Sequence, residues 1–362
     1  MVNHSKRLLF VCPDIQKPSG GIKQIYRQVD VLNKNGFEAY ILHDNPGFKC
    51  NWFANKTPVL YNPSLFKDLV ELKLQAQLSV KQKLKGAVKQ GIKKAKNRVT
   101  QGEIIEILKT DILVFPEVYG PKLAEVKPRI KKVIYNQGAY QTFFGYDLDL
   151  SDKDTPYLNE DLISVVVNSE DAKQYINLAF PKLNVFRVKY GFDSKKFSIN
   201  TKKKKQICFM PRRLRSDIVQ VINILKFKGV LDNWDIKPIE NMNEQQVADC
   251  MKESALFLSF NINEGFGMPP AEAMACGCVV VGYPGQGGIE IFNPDFSFPV
   301  KDRDIKAYVK TLEALLKAYE DNAKPYEIMA KKASEFILLT YSMAEEEHTI
   351  IEAWTNILKL NA

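Results

Sequence analysis

The sequence has little of what builds metal centres or cystine frameworks. Its 362 residues include six cysteines and three histidines. Only Cys276 and Cys278 stand close together, and no C-x-x-C pair occurs. Neither a zinc site of the usual spacing nor a disulfide framework is indicated, and the cysteines read as reduced core residues. No run of eighteen apolar residues is present, so no transmembrane helix is expected. Met1 to Lys6 are polar and lead straight into an apolar stretch, without the pattern of a secretory leader. A cytoplasmic chain is therefore expected. Acidic residues are missing between Glu71 and Glu103. No internal sequence repeat is found.

What is present points to an α/β protein of two domains. The length suits two domains, and the 45% apolar content is ordinary for a globular chain. Short apolar runs alternate with helical stretches: strands are expected at 8–12, 37–42, 111–115, 131–135, 163–167 and 185–188, then at 207–210, 234–239, 255–260, 278–282 and 297–300. A helix is expected to start near Ile22, a long one to run from Ser64 to Leu108, and another to follow the Asn168-Ser169-Glu170-Asp171 cap. Further helices are expected at 243–252, 304–321, 325–339 and 342–360. Strand, helix and strand in this order build parallel sheets. The polar segment Ser194 to Lys205 reads as the linker. The expected domains are 1–190, 191–342 and a terminal helix, 343–362.

One stretch, Ala255 to Glu290, carries the most chemistry. An apolar strand is followed by the loop Asn261 to Gly267, and Pro269 and Pro270 suit the first positions of a helix. The helix ends near Gly277, a favoured residue just beyond a helix C-terminus. A second buried strand and a second glycine-rich loop come next. Glu264 lies in the first loop and Glu272 about one turn into the helix. Free N–H groups at the helix start form a seat for phosphate. A carboxylate beside that seat can accept hydrogen bonds from sugar hydroxyls.

Glu264-Gly265-Phe266-Gly267-Met268-Pro269-Pro270-Ala271-Glu272 resembles the E-x7-E motif of retaining GT-B glycosyltransferases, family 4 above all, and Ala273-Met274-Ala275-Cys276-Gly277 continues the match. The resemblance implies a GT-B fold: two Rossmann-like domains facing each other across a cleft, with the final helix crossing back to the first domain. It implies that Glu264 contacts the sugar of a nucleotide-diphosphate sugar and Glu272 the ribose, with Gly265, Phe266, Gly267 and Met268 lining the donor. A loop ending in Gly20-Gly21 sits where the family places a Gly-Gly turn near the donor phosphates. Gln137 stands where many members carry a histidine, and a neutral amide can orient a hydroxyl but cannot act as a base. Tyr190-Gly191-Phe192-Asp193 resembles the interdomain hinge, with Tyr190 and Phe192 as departures. The usual lysine five residues after Arg213 is Ile218 here, which leaves Arg212, Arg213 and Arg215 for the diphosphate. Arginine suits that ligand because its planar fork pairs with two oxygens.

The implied reaction is metal-independent hexosyl transfer with retention, to a glycan or lipid-linked acceptor, with no cofactor beyond the nucleotide sugar. Asp147-x-Asp149 and Asp152-x-Asp154 resemble the D-x-D of metal-dependent GT-A enzymes but lie away from the strand pattern. An epimerase or phosphorylase of the same architecture finds no supporting motif. A non-catalytic carbohydrate-binding or scaffold subunit remains the alternative. Residues 1–190 carry 29 Lys+Arg against 19 Asp+Glu, and the remainder 22 against 23, so the positive charge belongs to the first half. A basic amphipathic helix over 80–99, with Val80, Leu84, Val88, Ile92, Ala95 and Val99 as its stripe, fits an anionic membrane surface as a peripheral contact. The equally open reading is a helix packed on its own domain. No recognised nucleic-acid motif organises these charges, so no nucleic-acid partner is expected.

Overall fold

A computed structural model describes residues 6–77, 102–148, 154–200 and 202–361. The chain divides into two compact units. The first comprises Met1–Val167, Tyr175–Phe186 and Ile350–Ala362, and the second Asn168–Gln174 and Arg187–Thr349.

The first unit is built on a seven-stranded sheet: β1 (Leu8–Val11), β2 (Ala39–His43), β3 (Val59–Tyr61), β4 (Ile112–Pro116), β5 (Lys131–Asn136), β6 (Leu162–Val167) and β7 (Val185–Arg187). The order is β3-β2-β1-β4-β5-β6-β7. β1 pairs in parallel with both β2 and β4. The chain thus reverses its direction of travel across the sheet at β1. Such a switch leaves a crevice beyond the carboxyl ends of the two central strands. Helix α1 (Gly20–Lys34) buries Ile22, Ile25, Tyr26, Val29 and Leu32, a three- and four-residue spacing that turns one face to the sheet. Helix α2 (Pro63–Gln77) follows, and α3 (Glu170–Ala179) belongs to this unit from Tyr175 onward. Ser169 caps the latter, its Oγ accepting from the Ala172 N–H at 3.1 Å.

The second unit holds β8 (Lys204–Phe209), α4 (Arg215–Phe227), β9 (Asp235–Pro238), α5 (Glu244–Glu253), β10 (Ser254–Asn261), α6 (Met268–Ala275), β11 (Val279–Pro284), β12 (Ser297–Pro299), α7 (Ile305–Asp321), α8 (Lys324–Thr340) and the start of α9 (Met343–Leu360), whose residues from Ile350 onward count with the first. Its sheet runs β12-β11-β10-β8-β9, so its switch point lies between β8 and β10. β10 is buried along its whole length. Phe257 faces a core layer with Met274 and Ile337, while Leu256 and Leu258 face one with Leu312 and Leu316. A strand covered on both faces reads as a continuous apolar run rather than an alternation.

Three differences from the sequence reading stand out. The helix expected to reach Leu108 does not: residues 102–108 are non-helical, and Ile104 forms an isolated parallel bridge with Tyr61. The cause is β3, a short strand that was not foreseen. Its free backbone groups take partners from this segment, with Tyr61 N–H donating to Glu103 O and Ile105 N–H to Tyr61 O, each at 3.0 Å. The lysines placed in the linker include Lys204 and Lys205, which open β8. Helix α4 was likewise unannounced. The stretch assigned to a basic helix, 80–99, lies outside the described residues, as do Asp149 and Asp152. All six cysteines are free and buried. No described helix is long and apolar enough to cross a membrane.

Candidate functional site

The second unit gathers its polar groups at its switch point. β8 ends at Phe209, and Met210 to Leu214 leave it as a loop. β10 ends at Asn261, and 262–267 lead into α6. Between these two exits lies a pocket with about 360 Å³ of empty space, part of it open to solvent. Arg212, Arg213, Asn261 and Glu264 supply its polar lining, against Phe257, Phe260 and Pro269. Parallel strands place both loops at the same edge of the sheet. That is why residues 50 positions apart in sequence converge.

Arg213 Nε meets Glu264 Oε1 at 2.6 Å. Burial pushes the Glu264 carboxyl up from its ordinary range, and the charges of Arg213 and Arg212 pull against that shift. The guanidinium groups thus offset part of the cost of burying this acid. Arg215 stands apart. It opens α4, is largely exposed, and pairs with Glu240 at 3.4 Å. Of the three arginines named from the sequence, Arg212 and Arg213 line the pocket and Arg215 does not.

The loop into α6 is pinned by glycines. Gly287 N–H donates to Glu264 O at 3.0 Å, and a side chain on Gly287 would collide with the Gly265 carbonyl. The second glycine-rich loop thus fixes the backbone that carries Glu264. Gly267 precedes α6 at φ 88° with no side-chain cap on the helix, and Pro269 and Pro270 bring no N–H to its first turn. Phe266 is buried, edge-on to Tyr190 and Tyr341. Its ring belongs to the core, and what it offers a ligand is backbone. Met268 packs partly on the same core. Glu272 is half-buried on α6 and does not line the pocket.

In the first unit the named residues also meet at the switch point. Gln137 follows β5, and its Nε2 donates to Gly21 O at 3.2 Å. A Cβ on Gly21 would lie 3.2 Å from Gln137 Oε1. Gly20 and Gly21 form the first residues of α1. Beneath Gln137 sits an acid that the sequence reading passed over. Glu117 follows β4, is 9% exposed, and accepts the Gln137 N–H at 3.1 Å. Burial lifts its carboxyl to about 7, against the lowering effect of its own N–H and those of Gln137 and Gly138. A second group was also missed. His43 Nδ1 faces Asp14 Oδ1 and Cys12 O, each at 2.9 Å, while Tyr26 OH meets Nε2 at 2.6 Å. Two acceptors at Nδ1 place a proton on that nitrogen. This chain fastens the β1–α1 loop to the end of β2.

Both Glu117 and Asn261 share one signal: each is among the first polar residues after an apolar parallel strand, the place where such sheets bind ligands. Tyr140, Phe143 and Phe144, just beyond Gln137, are exposed. Phe143 contacts the rings of Tyr146, Tyr175 and Phe180. Among the described residues no group of three His, Cys, Asp or Glu side chains could hold a metal ion. Asp154 instead takes Lys122 at 2.9 Å.

Comparison with known proteins adds to this geometry. Residues 229–335 match the family described as Glycosyl transferases group 1. That span includes Glu264, α6 and the second glycine loop. An alpha-1,6-glucosyltransferase of Actinobacillus pleuropneumoniae is 26% identical over 197 residues, 52% of this chain. The matched region spans 57% of that relative's length. Among solved structures, a variant of S. aureus TarM in complex with fondaparinux, alpha-GlcNAc-glycerol and UDP superposes with a TM-score of 0.62 at 12% identity, covering 99% of this chain and 100% of that one. Anabaena HepE in complex with UDP-glucose gives 0.62 at 12% identity, covering 97% and 99%. Sucrose-phosphate synthase from Thermosynechococcus elongatus gives 0.61 at 10% identity, covering 98% and 99%. At such identities the likeness establishes the fold, which is the GT-B architecture expected from the sequence.

Proposed function

We propose that the protein is a retaining, metal-independent glycosyltransferase that moves a sugar from a nucleoside diphosphate sugar to a glycan or lipid-linked acceptor. The observation that carries this reading is the convergence of Arg212, Arg213 and Glu264 on one pocket at the switch point of the second unit. Two fixed cations and an acid are what a sugar diphosphate requires. The cations offset the charge that grows on the diphosphate as the glycosidic bond breaks, and such stabilisation is usually the largest catalytic contribution. Glu264 accepts from sugar hydroxyls, and Glu272 takes the ribose. The N-terminal end of α6 adds the partial positive charge of the helix dipole.

Gln137 fits the same chemistry. It can orient a hydroxyl, but it cannot remove a proton. In the proposed reaction the acceptor oxygen attacks the anomeric carbon from the face that the leaving group vacates. The bond to the diphosphate breaks, and the departing phosphate oxygen takes the acceptor proton. No enzyme base is needed, and the configuration is retained. Metal independence rests on the arginines and the helix start doing the work of a divalent cation.

The TarM variant was solved with UDP and HepE with UDP-glucose, so UDP-sugars are the first donors to try. Incubation with UDP-, ADP- and GDP-sugars should release nucleoside diphosphate from at least one of them. Proton NMR of the transferred sugar should show the donor's anomeric configuration. Release from none, with no nucleotide binding, would favour the scaffold reading instead.

A further inference from the structure

Glu117 has no part in the reaction described above, yet it lies directly under the residue that would orient a hydroxyl. It is the first residue after β4, and its Oε2 accepts the Gln137 N–H at 3.1 Å. The Gly138 N–H and its own N–H bear on the same carboxyl. Gly138 leaves room for this approach, since a Cβ there would lie 3.3 Å from Glu117 Oε1. The turn after β5 is closed further along by the Gln141 N–H, which donates to Gly138 O at 2.8 Å. From that turn the Gln137 side chain reaches Gly21 O at the start of α1.

The chemistry of the position asks for an acid. An ionised carboxylate only accepts, so both oxygens can face N–H groups, whereas an amide would turn donors of its own toward them. Hydrogen bonds to a charged acceptor are also roughly twice as strong as neutral ones. Resting on the transfer reading of this chain, we propose that Glu117 is a positioning residue: its carboxylate holds the N–H groups of Gln137 and Gly138 and so keeps the Gln137 amide where it meets the reacting hydroxyl.

This hold depends on charge. Protonation makes one oxygen a donor that faces other donors, and the grip on the turn weakens. The carboxyl, lifted to about 7 by burial, therefore holds the turn above that pH and releases it as pH falls. Tyr157, 2% exposed, is the titratable group that feels its charge, and burial keeps that phenol neutral. Asp14 and Asp44 bear on the neighbouring Tyr119 and not on Glu117. The other side chains around the turn, Asn136, Gln141 and Thr142, carry no charge.

Steady-state turnover tests this from about pH 5.5 to about pH 9, on a donor that wild type accepts. Wild type is compared with Glu117→Gln and Gly138→Ala, and melting temperatures are recorded for each. Wild-type kcat should rise with pH through a midpoint close to 7. Glu117→Gln should lose that rise and lie about tenfold below wild type at the alkaline end, because a small misplacement of a reacting group is costly. The two curves should draw together at acid pH. Donor KM should change by less than about twofold, since Arg212 and Arg213 line the donor pocket and Glu117 does not. A residue that merely supports the fold would lower kcat without changing the shape of the curve, so parallel curves overturn the proposal. An equal rise in donor KM does the same. If Glu117→Gln does not fold, Gly138→Ala decides: it keeps the acid but crowds it, so the midpoint should move up, and an unmoved midpoint counts against the role. Turnover with parallel curves strikes this role alone and leaves the transfer reading standing. Turnover of no donor by wild type ends both.

Discussion

Arg213 and Glu264 form an ion pair, Nε to Oε1 at 2.6 Å. Both partners are also the groups proposed to hold the two halves of the donor. Binding must therefore exchange one interaction for two. Glu264→Gln removes the competing charge and frees the guanidinium. It should leave UDP affinity unchanged or improve it a few-fold, while lowering turnover at least a hundredfold. Arg213→Ala should weaken UDP by about 2 kcal/mol, roughly thirtyfold, because it leaves a half-buried carboxylate facing the phosphates. Arg215→Ala should change it less than twofold. Titration calorimetry and steady-state turnover give both numbers; full activity in Glu264→Gln would refute the assignment.

Gly21 and Gln137 set a second test. The amide oxygen sits 3.2 Å from where a Cβ on Gly21 would be, closer than ordinary contact. Gly21→Ala should displace the Gln137 side chain and reduce kcat at least tenfold, with a fall in Tm of only a few degrees. Gln137→Ala should reduce kcat by a similar factor, and the double variant should be little worse than either, since both act through one amide. Additive losses would show that the two residues act separately.

Glu117 gives the fold a pH signature. Its carboxyl is lifted from 4.5 to about 7 by burial. Between those two values the folded protein holds a proton that the unfolded chain has released. The stabilisation from this group is complete below about 4.5 and is lost as pH rises through about 7. A shift of this size corresponds to about 3 kcal/mol. Glu117→Gln cannot titrate, so its Tm should fall less than wild type between pH 5 and pH 8.5. Parallel Tm profiles for the two proteins would show that Glu117 is not the titrating group.

The basic stretch 80–99 can be tested without reference to its conformation. Wild type should co-sediment with vesicles containing anionic lipid, and less so as salt rises. Replacing Lys89, Lys93 and Lys94 together with alanine should lower the bound fraction at least threefold. Equal sedimentation of both proteins would remove the membrane contact.

Much of this was legible in the residues. The central stretch announced itself because four signals agreed: an apolar run, a glycine-rich loop, two prolines at a helix start and a glycine at its end. α6 and β11 sit within a residue or two of where these signals placed them. The strand β3 was hidden because three residues at a sheet edge leave no periodic pattern. The helix assigned through Leu108 failed for a related reason. Its composition is helical, but the chain there satisfies the open edge of β3, and a tertiary partner outweighs propensity. The choice between Arg212, Arg213 and Arg215 could not be read from spacing, since all three follow one strand. It was decided by where α4 begins, which turns Arg215 toward Glu240. Asn261 was quoted only as the start of a loop, because its place in the pocket becomes visible only once its neighbours are known.

Trp354 lies on α9, the helix whose residues from Ile350 onward count with the first unit. It is fully buried, 5.3 Å from the ring of Phe10, and its Nε1 donates to Gln28 at 3.1 Å. The first strand of the chain therefore waits for one of its last helices. A ribosome making this protein will have synthesised the whole second unit before the first can close. Until then the place that Trp354 fills beside Phe10 stays open on the nascent chain, so the first unit closes only after the second has been made.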